Sequence, residues 1–329
     1  MEKNKLISII TPVFNEEHSL DIYFKEVSQK LLNLSNYDFE IIFIDDGSSD
    51  ESWQRISEIC NNDNRFNAIR LSRNFGAHLA VSAGIDRAKG DAVVILACDM
   101  QDPVETVIEF LNKWREGYQI VWGERISRVD SKWRIGASVF FNYLLKKWAM
   151  PEGSRFTTGS FLLMDRRVAD CFRLYEDNSR LTFAMVAWTG FEQEVVPYHR
   201  KARIAGKSGW SFSKMVAAFY NAILAYSTVP LKIITVLSLI SILACVPITM
   251  YLVYLYFIGR SGNIGWISTI LTIIGFSGII LLQLSVTGEY LVRVYKDASR
   301  RPLYFVADDT LPERYFCSRP GRRKTDLRS

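Results

Sequence analysis

Hydrophobic positions follow two alternating patterns in the first part of the chain. Mainly apolar runs rich in β-branched residues, at 6–10, 39–45 and 93–97, are separated by segments in which apolar residues recur at helical spacing. One such segment, for which Asn15 is the predicted N-cap, has its apolar positions at Leu20, Phe24, Val27 and Leu31. Strands of this kind alternating with helices are typical of βαβ units. The pattern predicts an α/β domain with a mainly parallel sheet.

Two later segments, residues 233–258 and 264–288, contain no charged residue. Each is longer than the ~20 apolar residues that cross a bilayer, and a buried core helix is the alternative. Basic residues are frequent on both outer flanks, whereas the short link between the segments holds only Arg260. The positive-inside rule therefore predicts a hairpin in the inner (cytoplasmic) membrane, with the α/β domain and both termini in the cytoplasm. The chain is expected to be a multi-pass membrane protein.

These patterns divide the chain into four predicted parts. Residues 1–210 form the α/β domain, 233–290 the two-helix hairpin and 291–329 a cytoplasmic tail, which is expected to be loosely ordered after Ala307. Between them, 211–232 has apolar residues on one helical face bordered by lysine. This segment is predicted to be an amphipathic juxtamembrane helix that lies in the membrane interface or packs on the α/β domain.

The composition restricts the class of protein. A hydrophobic content of 49% is high for a wholly soluble enzyme, and a charged content of 23% is high for a protein made only of membrane helices. The net charge of +5 is concentrated near the apolar segments, which favours anionic lipid over nucleic acid as the partner. The five cysteines are scattered without a paired spacing, so structural zinc is not expected.

Polar side chains follow several of the predicted strands, at residues 12–16, 45–50 and 99–102. The carboxyl ends of parallel strands share one edge of the sheet, where ligands bind in α/β proteins. Glycine-rich phosphate loops of the GxGxxG and GxxxxGK[ST] types are absent from the sequence. Oxygen ligands such as Asp99 and Gln101 suit Mg²⁺ or Mn²⁺, which can bridge to a diphosphate. A nucleotide-sugar or metal site is therefore the leading interpretation, with ordinary acidic turns as the alternative.

Motifs in a fixed order strengthen this interpretation: TPVFNEE, IDDGSSD, LSRNFG, DMQDP and GEYLVRVYKDASRRPLYFV. Together with the helix pair, they resemble polyprenyl-phosphate glycosyltransferases of glycosyltransferase family 2, over residues 5–306. That group includes bactoprenol glucosyltransferases and dolichyl-phosphate mannosyltransferases. The resemblance implies a GT-A fold and inverting transfer of a sugar from a nucleotide diphosphate to a polyprenyl phosphate at the cytoplasmic membrane face. The product would serve the synthesis or modification of a cell-surface polysaccharide.

The same resemblance implies roles for individual residues. Nucleotide-sugar binding falls to Pro12, Phe14, Glu16, Asp46 and Asp99. Metal binding falls to Asp99 and Gln101. Binding of the acceptor and its phosphate falls to Arg125, Arg134, Arg203 and Lys207.

Two positions depart from the family pattern. Ala97 replaces the first acid of the usual D-A-D, and Ser160 replaces an acid often described as the catalytic base. A phosphate monoester has a second pKa near ~6, so a lipid phosphate is already ionised at neutral pH and needs little general-base help. The hypothesis is that Asp99 is catalytic, Ser160 keeps a hydrogen-bonding role, and Glu124 restores negative charge. An inactive, degenerate transferase is the alternative.

Two other functions stay open at this stage. One is a glycosyltransferase whose acceptor is a sugar on a lipid diphosphate, which would again need a base. The other is a non-catalytic membrane scaffold that binds nucleotide sugars. The sequence does not specify the sugar or the nucleotide, and it is compatible with a homo-oligomer.

Overall fold

The computed structural model describes residues 4–126, 155, 160–175, 182–201, 220, 224, 229–258, 264–299 and 301–310. The chain divides into two compact units. The first comprises Met1–Phe212 with Arg300–Ser329, and the second comprises Ser213–Ser299. Most of the predicted amphipathic helix, 211–232, lies outside the described residues and stays a prediction.

Within the described residues, the first unit contains an eight-stranded sheet. Its strands are β1 Lys5–Val13, β2 Tyr37–Asp45, β3 Phe66–Leu71, β4 Ala92–Ile95, β5 Ile120–Arg125, β6 Leu162–Asp165, β7 Gln193–Tyr198 and β8 Val306–Asp309. They lie in the order β7-β5-β6-β4-β1-β2-β3-β8. All run parallel except β6 and β8, which pair antiparallel with their neighbours. The predicted α/β class with a mainly parallel sheet is confirmed.

Helices of the first unit flank this sheet. In the described part of the chain they are α1 Glu17–Lys30, α2 Ser52–Asn62, α3 Ala77–Arg87, α4 Thr106–Arg115, α5 Arg166–Arg173 and α6 Thr182–Trp188. Leu20, Val27 and Leu31 are fully buried, as their helical spacing predicts. The interiors of β1, β2 and β4 are likewise buried, which accounts for their mainly apolar sequences.

The last strand belongs to the region that the sequence assigned to a tail. β8 pairs antiparallel with β3 at the edge of the sheet. Arg87 forms an ion pair with Asp309 at 3.0 Å, and the Tyr304 hydroxyl donates a hydrogen bond to Asp86 at 2.9 Å. Residues 306–309 are therefore part of the sheet, in contrast to the loosely ordered tail that was expected to begin after Ala307.

The second unit contains two long apolar helices, α7 Val229–Phe257 and α8 Ile264–Ala298. Within them, Val229–Tyr251 and Thr272–Ala298 are long and apolar enough to cross a membrane, and neither segment is buried. A side-chain contact between Gln283 and Ser238 links the two helices. Exposed apolar side chains distinguish this pair from the core helices of the first unit.

Candidate active site

The topology brings the polar strand ends together at one edge of the sheet. β1, β2, β4, β5 and β7 all point the same way, so their carboxyl ends share that edge. β6 runs in the opposite direction and begins there, two residues after Ser160. Ligands of parallel α/β sheets bind at this edge. The edge therefore defines the candidate active site.

Hydrogen bonds join the loops that follow β1 and β2. The Asn15 N–H donates to Ser48 Oγ at 3.0 Å, and Asn15 Oδ1 accepts from the Ser49 N–H at 2.9 Å. The next residue, Glu16, donates its N–H to Ser52 Oγ at 2.9 Å. Asn15 has a φ of 54°, a left-handed conformation that asparagine tolerates better than most residues. Asn15 is thus a bridge between two loops, and the N-cap of α1 is Glu16 rather than the predicted Asn15.

The residues assigned to the nucleotide differ in exposure. Phe14 is exposed and Pro12 is partly buried. Asp46 is buried, and its two carboxylate oxygens accept the N–H groups of Phe75, at 2.7 Å, and Gly76, at 2.9 Å. The pKa of Asp46 is raised above its ordinary value, mainly because the side chain is buried. Asp46 therefore positions the loop that precedes α3.

Asp45 belongs to the polar stretch predicted at the site edge but was assigned no role of its own. It is fully buried at the end of β2, accepts the Ser48 N–H at 3.0 Å, and pairs with Arg70 Nε at 3.2 Å. The Arg70 guanidinium also lies over the Trp53 ring, 5.6 Å from its centroid. This charged pair supports the wall of the site, and only the doubled acid in IDDG indicated it in the sequence.

Asp99 and Gln101 lie on the loop that follows β4. Asp99 Oδ1 accepts the N–H of Gln101 at 3.2 Å, and the intervening Met100 has a φ of 57°, which folds the loop tightly. Among the residues that the structure describes, no three His, Cys, Asp or Glu side chains converge on a common metal position. The oxygen donors of Asp99 and Gln101 nevertheless fit Mg²⁺ or Mn²⁺, which complete their coordination with substrate phosphates and water.

A buried tyrosine connects this loop to β5. The Tyr198 hydroxyl donates to Asp102 Oδ1 at 2.5 Å and accepts from Arg125 Nε at 3.1 Å. Close by, the Lys201 N–H donates to the Gln101 carbonyl at 2.9 Å. Tyr198 was missed in the sequence because its partners are distant along the chain. The available signal was its position at the end of an apolar strand directly before a basic run.

Charges of both signs surround this tyrosine. The pKa of Asp102 is raised above its ordinary value, mainly by burial and to a smaller extent by the negative charge of Asp99. The positive charges of Arg125 and Arg200 lower this pKa and offset part of the increase. Burial and then the neighbouring Arg125 lower the pKa of Arg200. Two guanidinium groups therefore face two carboxylates at the site edge. Side chains of both charges at one place can interact with anionic substrate groups and with a cation.

The remaining predicted residues are less closely associated with this group of charged side chains. Ser160 lies at the site edge, and Glu124 is exposed. Adjacent residues of a strand point to opposite faces, so Glu124 is directed away from Arg125. The charge-restoring role of Glu124 stays a prediction. Arg134, Arg203 and Lys207 lie outside the described residues and stay predictions.

Comparison with known proteins identifies the family. Residues 8–173 match the model of Glycosyl transferase family 2. The chain belongs to this family. An uncharacterized glycosyltransferase of Synechocystis sp. is 34% identical over 306 residues, which cover 92% of this chain and 95% of that protein. The bactoprenol glucosyl transferase of Shigella phage SfV is 30% identical over 304 residues, 92% of this chain and 98% of that protein.

Among solved structures, a mannosyltransferase from Pyrobaculum calidifontis in complex with GDP-Man and Mn²⁺ is 14% identical. The similarity covers 91% of this chain and 87% of that one, with a TM-score of 0.49. The family match and the topology of the sheet confirm the predicted GT-A-like fold and the predicted enzyme class. The protein is a glycosyltransferase.

Proposed function

We propose that this glycosyltransferase transfers a sugar, with inversion, from a nucleotide diphosphate sugar to a polyprenyl phosphate at the cytoplasmic membrane face. The observation that carries the proposal is the similarity to the bactoprenol glucosyl transferase of phage SfV. It extends over 304 residues, more than the first unit contains, and so reaches into the apolar helices. Those helices would keep the site close to a long-chain lipid. The product would be used for a cell-surface polysaccharide.

The donor would bind across the loops that follow β1 and β2. Pro12, Phe14 and Glu16 would contact the nucleotide, and the exposed ring of Phe14 is available for stacking. Asp46 would contribute through the loop at Phe75 and Gly76, because both of its oxygens already accept backbone N–H groups. Asp99 would lie beside the donor diphosphate.

Asp99 and Gln101 would hold Mg²⁺ or Mn²⁺ against that diphosphate. A bound divalent cation supplies Lewis-acid stabilisation of the negative charge on the departing nucleotide diphosphate. The chain offers a carboxylate and an amide at this place, so the diphosphate itself would provide further oxygen ligands. The loop conformation at Met100 holds the two protein ligands on one tight turn.

The acceptor would approach from the side of Arg125, with Arg134, Arg203 and Lys207 contributing further positive charge. An oxygen of the ionised lipid phosphate attacks the anomeric carbon, and the bond from that carbon to the diphosphate breaks on the opposite face. The bonding electrons leave with the nucleotide diphosphate, and inversion follows. No proton has to be removed from a phosphate dianion, so Ser160 needs only to donate or accept a hydrogen bond.

The test uses the full-length protein in detergent, undecaprenyl phosphate and a panel of UDP- and GDP-sugars, with mass spectrometry of the lipid. We expect a glycosylated undecaprenyl phosphate that disappears when divalent cations are chelated and returns when Mg²⁺ or Mn²⁺ is added. Asp99→Asn should lower the transfer rate by about 100-fold or more, because charge stabilisation at the leaving group is lost. Membrane insertion should be unchanged.

Asp38→Asn is the matched control, since Asp38 is exposed at the amino end of β2, on the opposite edge of the sheet. Its transfer rate should equal that of the wild type. A product formed only on a lipid diphosphate sugar would favour the other acceptor class. Binding of nucleotide sugar without turnover would favour a scaffold, and undiminished transfer by Asp99→Asn would exclude Asp99 from the metal site.

A further inference from the structure

Packing fixes the ring of Tyr198 in one orientation. The residue is 4% exposed, and its ring meets Phe161 edge to face, with centroids 5.5 Å apart and planes at 90°. Gly123 leaves room for this ring, since a Cβ there would lie 2.9 Å from Tyr198 Cε1. The direction of the hydroxyl is therefore determined by the core of the sheet.

That hydroxyl joins the ends of three strands. It donates to Asp102, on the loop that follows β4, and accepts from Arg125, the last residue of β5. Arg125 and Tyr198 are register partners in the parallel pair of β5 and β7. The bond from the guanidinium is short enough, at 3.1 Å, to restrict its plane. Arginine recognises phosphate through a planar fork, so the direction of this plane matters as much as the charge.

The position of Arg125 relative to the metal loop is set in the same way. Asp102 is separated by two residues from Asp99 and is buried beside the tyrosine. One hydroxyl thus connects the residue assigned to the acceptor phosphate with the loop assigned to the donor diphosphate. A phosphate held by Arg125 would be oriented with respect to the donor only while both hydrogen bonds exist.

We propose that Tyr198 is a positioning residue, whose hydroxyl fixes the Arg125 guanidinium against the Asp102 loop so that an acceptor phosphate is aligned with the donor. The role rests on the proposed function. Tyr198 acts through Arg125 and does not touch the reacting atoms. Removal of the hydroxyl therefore affects the use of the acceptor more than the binding of the donor.

The test is Tyr198→Phe in the full-length protein, with undecaprenyl phosphate and the nucleotide sugar that the wild type uses. We expect kcat/KM for undecaprenyl phosphate to fall about tenfold or more, the scale of one lost hydrogen bond to a charged group. The KM for the nucleotide sugar should change by less than about twofold, because the loop keeps its own contacts at Asp99.

Tyr304→Phe is the matched control. Tyr304 is also 4% exposed and also donates to an aspartate, Asp86, but it lies next to β8 at the other end of the sheet. The Tyr304→Phe variant should lose about as much thermal stability as Tyr198→Phe and keep the wild-type kcat/KM for undecaprenyl phosphate. Equal acceptor kinetics in Tyr198→Phe and Tyr304→Phe would overturn the positioning role.

A double-mutant cycle with Arg125→Ala tests whether Tyr198 acts through Arg125. In the Arg125→Ala background, Tyr198→Phe should change kcat/KM for the acceptor by less than about twofold, because the group that it positions is absent. A full additional loss there contradicts the proposal. If Tyr198→Phe fails to fold, Arg125→Lys provides a second test, because lysine keeps the positive charge but lacks the Nε–H that bonds to Tyr198. Wild-type acceptor kinetics in the Arg125→Lys variant would contradict the proposal.

The proposed function and the positioning role fail in different ways. A wild-type enzyme that leaves undecaprenyl phosphate unmodified refutes the proposed function and, with it, this role. A wild-type enzyme that glycosylates this lipid, together with a Tyr198→Phe variant that uses it equally well, refutes the positioning role alone.

Discussion

The aspartates of the site are held in different ways, and this determines what each can do. Asp46 uses both oxygens to accept backbone N–H groups, and Asp102 accepts the Tyr198 hydroxyl. Asp99 accepts an N–H from its own loop, at Gln101. The first two therefore maintain the frame of the pocket, while Asp99 is the aspartate that we propose as a metal ligand. Their types alone do not reveal this division of roles.

Another single residue, His78 at the start of α3, has a consequence for stability. Its ring lies 5.1 Å from that of Phe183, its Nδ1 is buried, and among the described residues this atom has no hydrogen-bond partner. Burial lowers the pKa of His78 from 6.5 to about 4. The imidazole therefore stays neutral in the folded protein under conditions in which it is protonated in the unfolded chain.

Stability should consequently decrease as the pH falls from 6.5 towards 4. In that window the unfolded chain binds a proton that the folded state does not, which corresponds to at most about 3 kcal/mol at the lower end. Thermal unfolding of the wild type and of His78→Gln, at pH 7 and at pH 5, measures the effect. The wild type should lose more stability on acidification than the variant, and equal losses would contradict the assignment.

At the scale of elements, the sequence predicted buried strands well and the edge strand poorly. β1, β2 and β4 are covered on both faces, so mainly apolar sequences were required, and the acids Asp45 and Asp46 marked the end of β2. Pro12 lies within β1, one residue before its end. β8 has the sequence VADD and one strand neighbour, β3. An edge strand needs no apolar run, and its polar composition is typical also of a tail.

The pairing that holds β8 gives a testable prediction. The Asp309 side chain is 3% exposed and that of its partner Arg87 is 10% exposed. Arg87→Met should lower the free energy of unfolding of the first unit by about 3 kcal/mol, because a buried carboxylate loses its counter-charge. Amide exchange in β3 and β8 should become faster, and denaturant unfolding of the full-length protein measures the loss.

The double variant Arg87→Met with Asp309→Leu serves as the control. It removes both charges, so much of the lost stability should return. A double variant that is as unstable as Arg87→Met alone would show that packing, and not the unpaired charge, is the cause.

At the scale of the whole molecule, the sequence predicted which strand ends meet but not how they are joined. Polar residues after predicted parallel strands were sufficient to infer a common edge that includes Asp46 and Asp99. The link from Tyr198 to Asp102 spans 96 residues of sequence, and no local pattern encodes such a pair.

At this scale, the testable prediction concerns the orientation of the chain in the membrane. In a cysteine-free variant, Ser261→Cys lies in the short link between the apolar helices, and Asp38→Cys is exposed in the first unit. A membrane-impermeant maleimide should label Ser261→Cys in intact cells and Asp38→Cys only after the cells are permeabilised, since the basic flanks stay inside. The reverse labelling would exclude a cytoplasmic active site.

The place of β8 in the sheet has a consequence for biogenesis. Among the described residues, seven strands precede the apolar helices along the chain, whereas the eighth is synthesised only after both helices. Until then the outer side of β3 lacks its neighbour, and its backbone groups remain open to pairing with other chains. The sheet is therefore completed only after both apolar helices have been synthesised, and a chain that terminates before β8 leaves the edge of β3 unpaired.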